Sequence, residues 1–222
     1  MKQNTWFDPF FIFENLSEED KLIQKNVKQF CNAELRPNVV KYNHDHIFDK
    51  ELYKEFGNLG VLGSTIKNYG GAAASNTAYG LINYEIEKVD SSYRSSISVQ
   101  SSLVIHPISE FGSEEQKNKY LPGLIKGEKI GCFGLTESEA GSDPSSMKTT
   151  FKKTKNGYIL NGSKNWITNA PVADIFIIWA LEENKDHKSV EGFILEKNFN
   201  GLKTSAIENK TSLKISPTGQ II

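Results

Sequence analysis

The sequence predicts an α+β chain whose first half is all helical and whose second half is all β. Two observations carry this. Apolar residues recur at helical spacing from Ser17 to Lys126, and from Ile130 they give way to short β-branched and aromatic runs separated by turn residues. The change falls near Gly127, so the expected division is an N-terminal helical domain over 1–128 and a β domain, a barrel or sandwich, over 129–222.

In the helical half, Ser17 stands where an N-cap belongs, and Leu22, Val27, Phe30 and Cys31 follow at three-to-five-residue steps until Pro37, which is expected to end that helix. Phe48, Leu52, Phe56 and Leu59 form a second stripe closing at Gly60. Beyond the glycine-rich loop 68–75, Leu81, Ile82, Glu85, Ile86 and Val89 read as a buried helix. Ser113 and Gln116 make a capping box for a helix that runs into Pro122 and stops by Gly127.

In the second half, Asn156-Gly157 predicts a hairpin with a type I′ turn, and Asn161-Gly162 repeats the signal. "DIFIIWA" (174–180) and "EGFILE" (191–196) read as further strands, the first buried because it is almost continuously apolar. The last stretch closes on Ile221-Ile222 after a Thr-Gly turn, which reads as a strand cut off mid-run and a truncated chain.

At 222 residues and 38% hydrophobic content the chain can bury one large core or two small ones. A net charge of -1, from 26 basic and 27 acidic residues, argues against a nucleic-acid partner. Cys31 and Cys132 lack C-x-x-C spacing and suit free thiols in a reducing compartment. No apolar run reaches the roughly 20 residues of a membrane helix, and the first residues carry no signal pattern. His106 and the Asn43–His46 cluster have no second ligand set at workable spacing, so no metal site is expected.

The segment with most chemical content is "CFGLTESEAGSDPSSM", Cys132 to Met147, in which a β-compatible run meets small residues whose backbone amides a flat ligand can approach. With "WITNA" from Trp166 it resembles the signature of the acyl-CoA dehydrogenase family. "FGNLGVLGSTIKNYGG" (56–71) and "FGSEEQKNKYLPGLIKGEKIGCFGLTE" (111–137) extend the resemblance over essentially the whole chain. It implies FAD as cofactor, contacted by Phe133, Leu135, Thr136, Gly141 and Ser142 together with Trp166, Ile167 and Thr168, with Ser142 also touching the acyl-CoA. Fixed donors at the ring's polar edge would stabilise the negative charge that reduction places there.

"EKVDSSYRSSISVQSSLVIHP", from Glu87 to Pro107, resembles the glutaryl-CoA branch of that family. A buried arginine without a partner is costly, by ~3–5 kcal/mol. Glu87 lies seven residues before Arg94 and shares its face if the helix persists, so it can hold the guanidinium until a dicarboxylate replaces it. The resemblance implies that Arg94 anchors the glutaryl carboxylate, that Ser95 lines the substrate channel and that Ser98 assists near the anchor. Lys214 stands where relatives often carry arginine in a CoA-contacting stretch.

By the same resemblance, a glutamate removes the α-proton while hydride leaves the β-carbon for the flavin, and the product loses carbon dioxide to give crotonyl-CoA. That glutamate, part of the FAD pocket and the contacts of a homotetramer belong to a C-terminal helical domain expected to be absent here. No catalytic residue is therefore assigned, and the chain alone is expected to bind flavin weakly and turn over nothing. Its electron acceptor would be an electron-transferring flavoprotein, its location the bacterial cytoplasm or the mitochondrial matrix. Two alternatives stand beside this: a short- or branched-chain acyl-CoA dehydrogenase with a structural Arg94, and a non-catalytic scaffold module.

Overall fold

The computed structural model describes residues 8–183 and 189–222. Helix α1 (Glu18–Phe30) starts at Ser17, whose hydroxyl accepts the Asp20 N–H at 3.0 Å. Pro37 does not end it. The chain widens over Cys31–Leu35, where Arg36 donates to the Cys31 carbonyl five residues back, and continues as α2 (Arg36–Asp45) with Pro37 in its first turn. The wide turn gives the proline ring room and makes its missing N–H harmless. The device recurs at Val99–Ile105 before Pro107, which opens α6 (His106–Phe111).

Between them lie α3 (Leu52–Asn58), α4 (Asn76–Glu87) and α5 (Ser91–Ser98), the last two capped by Ser75 and Asp90. Gly60, at φ 75°, closes the α3 stripe as expected. The Ser113–Gln116 capping box is formed at the start of α7 (Glu114–Ile125).

The β half makes two sheets from β1 (Gly131–Gly134), β2 (Thr150–Thr154), β3 (Gly157–Asn161), β4 (Lys164–Thr168), β5 (Ile175–Glu182), β6 (Val190–Glu196), β7 (Thr204–Ala206) and β8 (Thr218–Ile221). Strand β5 is the spine of the first. Strand β1 and then β2 lie parallel along one edge of it, β6 is antiparallel along the other, and β3 extends β2 as a hairpin. The second sheet is antiparallel, in the order β4-β8-β7.

The β2–β3 hairpin forms, but its turn is Lys155-Asn156 and only Gly157 has positive φ, so it is not the type I′ turn expected. Asn161-Gly162 makes no hairpin. It carries the chain from one sheet to the other, with Gly162 so close to Thr149 that a Cβ would lie 2.5 Å from that hydroxyl.

Alternation along β5 explains its almost unbroken apolar run. Ile175 and Ile177 join the core of the helical half, whereas Phe176 and Ile178 join Cys132, Ile167 and Ile221 between the sheets. Both faces of the strand are covered. Among the described residues no helix is long and apolar enough to cross a membrane.

Candidate active site

The two sequence motifs meet where β1 ends. Ladder pairing stops at Gly134, so Leu135 and Thr136 leave the sheet as an extended end rather than as the strand the motif implied. Strand β4 lies beside that end. Asn165 donates its backbone N–H to the Thr136 carbonyl at 2.9 Å, and its side chain reaches Ser138 Oγ at 3.3 Å. Thr136 is half-buried, and neither its N–H nor its hydroxyl has an acceptor among the described residues.

Trp166 lies 59% exposed, at φ 61° and at a break in the β4–β8 register. A left-handed backbone is unfavourable for so bulky a residue. The break turns the indole outward next to a buried Ile167, whose side chain belongs to the core between the sheets and which offers a ligand only its backbone. Thr168 is half-buried and pairs with Thr218. Phe133 packs on Trp179, ring centroids 5.9 Å apart. Gly141 and Ser142 lie exposed on the following loop, with open space on the Cβ side of Gly141.

Sequence reasoning missed what joins these pieces. Lys164, with its side chain 2% exposed, donates to Glu137 Oε1 at 2.8 Å and to the Leu135 carbonyl at 3.0 Å. Glu137 also accepts the N–H groups of Lys148 and Thr149 and the Thr149 hydroxyl. Burial pushes the Glu137 carboxyl up, but the hydrogen bonds from Lys164 and Thr149 and the two backbone N–H groups outweigh it and hold the group at about 2. Burial likewise draws the Lys164 ammonium down, against the opposing pull of Glu137.

Arg94 and Glu87 do pair, Nε to Oε2 at 2.7 Å, but not on one continuous helix. Helix α4 ends at Glu87 and α5 starts at Ser91, so the pair spans a corner. Nor is Arg94 buried: the two side chains are 36% and 43% exposed, so the cost expected for a buried guanidinium does not arise. Hydrogen bonds from Ser91 and then Arg94 lower the Glu87 pKa. Arg94 Nη1 approaches Ser98 Oγ at 3.4 Å, and that hydroxyl donates to the Ser95 carbonyl at 3.0 Å, which gathers the three expected residues.

Gln100 fixes this helical segment against the β half. It donates to the Leu124 and Lys129 carbonyls, each at 2.9 Å, and accepts the Gly131 N–H at 2.8 Å. Val104 packs onto Gly131 so closely that a Cβ there would lie 2.5 Å from it. Lys214 is half-buried and lines a cleft with His44, His46 and Lys210. Among the described residues no three His, Cys, Asp or Glu side chains are grouped to hold a metal ion.

A helical layer stapled to paired sheets, with open donors and an exposed indole where the end of β1 meets β4, defines an α+β protein with a candidate ligand site. Residues 17–128 match the profile of the acyl-CoA dehydrogenase N-terminal domain and residues 132–222 that of the acyl-CoA dehydrogenase middle domain, so the chain belongs to the acyl-CoA dehydrogenase family. It is similar to a glutaryl-CoA dehydrogenase from Mycobacterium smegmatis solved in complex with FADH2, at 40% identity and TM-score 0.93, over 96% of this chain and 54% of that one. Butyryl-CoA dehydrogenase from Megasphaera elsdenii is similar at 36% identity and TM-score 0.88, over 94% and 56%. The short-chain-specific acyl-CoA dehydrogenase of Clostridium acetobutylicum is 37% identical over 210 residues, 94% of this chain and 55% of that protein. The chain thus spans about half the length of the curated relatives it matches.

Proposed function

We propose that the chain, read as two domains over 1–128 and 129–222, forms the helical and β part of an FAD-dependent dehydrogenase of CoA thioesters, with glutaryl-CoA as substrate. The observation that carries this reading is Thr136, which presents an N–H and a hydroxyl without acceptors beside the exposed, strained Trp166. Donors left open to water in this way can be given to a ligand that displaces the water. The polar edge of a flat ring fits them, with Phe133, Leu135, Gly141, Ser142, Thr168 and the Ile167 backbone as the remaining contacts. Bound FAD would supply the hydride acceptor, as it does for the family.

Glu137 is the carboxylate next in sequence to Thr136, and it is unsuited to proton abstraction. It accepts four hydrogen bonds and is held at about 2, far from the neutral range in which a general base works. We therefore assign no base within this chain and take it from the sequence with which the relatives complete their length. Contacts of a homotetramer and electron delivery to an electron-transferring flavoprotein belong to that completed protein.

Arg94 supports the dicarboxylate, since its guanidinium is half-exposed and pairs with a single carboxylate that a substrate can replace. The Glu87 bond also favours a second reading, a short- or branched-chain enzyme in which the pair is structural. Fluorescence titration of FAD with the purified chain tests the common part: saturable quenching, weakened by Thr136→Val, is expected. Absence of saturable binding would reject the flavin reading.

A further inference from the structure

Lys164 is a buried cation for which the flavin reading has no task, and its place is unusual. Its ammonium sits 3.0 Å from the Leu135 carbonyl. That carbonyl and the Thr136 N–H are opposite ends of one peptide group, whose electrons are delocalised over both. A cation on the oxygen draws density through the amide and makes the N–H a stronger donor, an effect enlarged where water is excluded. This N–H is the one that has no acceptor among the described residues.

We propose that Lys164 is a positioning residue that acts through the Leu135–Thr136 peptide to strengthen the hydrogen bond given to the flavin's polar edge, so that the reduced cofactor is favoured over the oxidised one. The proposal rests on the flavin reading of Thr136. Two-electron reduction places negative charge on that edge, and a strengthened donor gains more from the charged ring than from the neutral one. Glu137 is what keeps the cation there. It is anchored by the Lys148 and Thr149 N–H groups and the Thr149 hydroxyl, so the ammonium cannot swing to solvent without leaving a buried carboxylate without its counter-charge. A part that merely stiffened the loop would act on both redox states alike.

The experiment is an anaerobic titration of the purified chain with FAD and with dithionite-reduced FAD, comparing wild type with Lys164→Met. The quantity read is the ratio of the two dissociation constants. An about tenfold loss of preference for reduced FAD is expected, with circular dichroism unchanged. An unchanged ratio, including equal weakening of both forms, overturns the proposal. Should Lys164→Met fail to fold, Glu137→Gln decides, because it retains the side-chain shape and removes the carboxylate that keeps the charged ammonium at the Leu135 carbonyl. A loss of the preference then supports the proposal, and an unchanged or raised preference overturns it. A wild-type chain that binds neither form rejects the flavin reading and this proposal together, and the first titration distinguishes that outcome.

Discussion

Asn165 gives its backbone N–H to the Thr136 carbonyl at 2.9 Å, so the strand end bearing Thr136 is tied down on its acceptor side while its donors remain free. The tie belongs to the fold, and the free hydroxyl does not contribute to it. Thr136→Val, which removes only that hydroxyl, should therefore leave the melting temperature within about a degree of wild type, since no hydrogen bond is lost on folding. FAD affinity should fall up to about tenfold, the worth of one hydrogen bond of about 1 kcal/mol. Calorimetry and fluorescence titration read the two. A large drop in melting temperature would show that the hydroxyl has a partner in the folded chain.

Trp166 holds a left-handed backbone at φ 61° with most of its ring in solvent. Such a conformation costs on the order of 1 kcal/mol for a bulky residue, and much less for asparagine. Trp166→Asn should thus melt no earlier than wild type and bind flavin less well. Early melting would mean that the indole packs for stability rather than for a ligand.

The Lys164–Glu137 pair makes acid stability readable. The Glu137 carboxyl is depressed from its ordinary 4.5 to about 2, so its contribution is fully present above the unfolded value and is lost as pH falls through the folded one. Wild type should lose on the order of 2–3 kcal/mol between about pH 5 and pH 2 from this group. Urea unfolding across that window should show Glu137→Gln lacking this part of the slope. Parallel slopes in the two proteins would exclude the pair as its source.

Gln100 satisfies three backbone groups at the helix-to-sheet junction and is itself fully buried. Gln100→Ala strands two carbonyls and the Gly131 N–H, so a loss of about 2–4 kcal/mol in urea unfolding is expected. A loss below 1 kcal/mol would mean that the junction closes around the gap or admits water.

The helical half was legible where a local rule governs the residue. Ser17, Gln116 and the Leu81–Ile86 stripe follow capping and period alone, whereas Pro37 misleads because the wide turn before it accommodates the proline and lets the helix run on. In the β half, "DIFIIWA" was readable as a buried strand from its unbroken apolar run, and both faces prove covered. The Lys164–Glu137 pair was hidden for a physical reason. Strict alternation puts Lys164 on the same face as exposed Trp166, and only the register break at Trp166 sends the lysine inward. The Arg94–Glu87 pair was foreseen from a seven-residue spacing, yet it exists across a corner that the spacing does not describe.

That corner is where the proposed substrate can be tested. Both partners are more than a third exposed, so the pair should contribute at most about 1 kcal/mol to folding, and Arg94→Gln should barely alter the melting temperature. On the proposed glutaryl-CoA reading its effect is expected in catalysis by a complete protein carrying this chain. A guanidinium–carboxylate hydrogen bond is worth roughly 1.5–3 kcal/mol, so kcat/KM for glutaryl-CoA should fall about ten- to a hundredfold while that for butyryl-CoA, which has no far carboxylate, holds. Steady-state rates with the two thioesters decide between the readings. A parallel fall on both makes Arg94 a structural residue of the corner, and an unchanged glutaryl-CoA rate removes it from the substrate pocket.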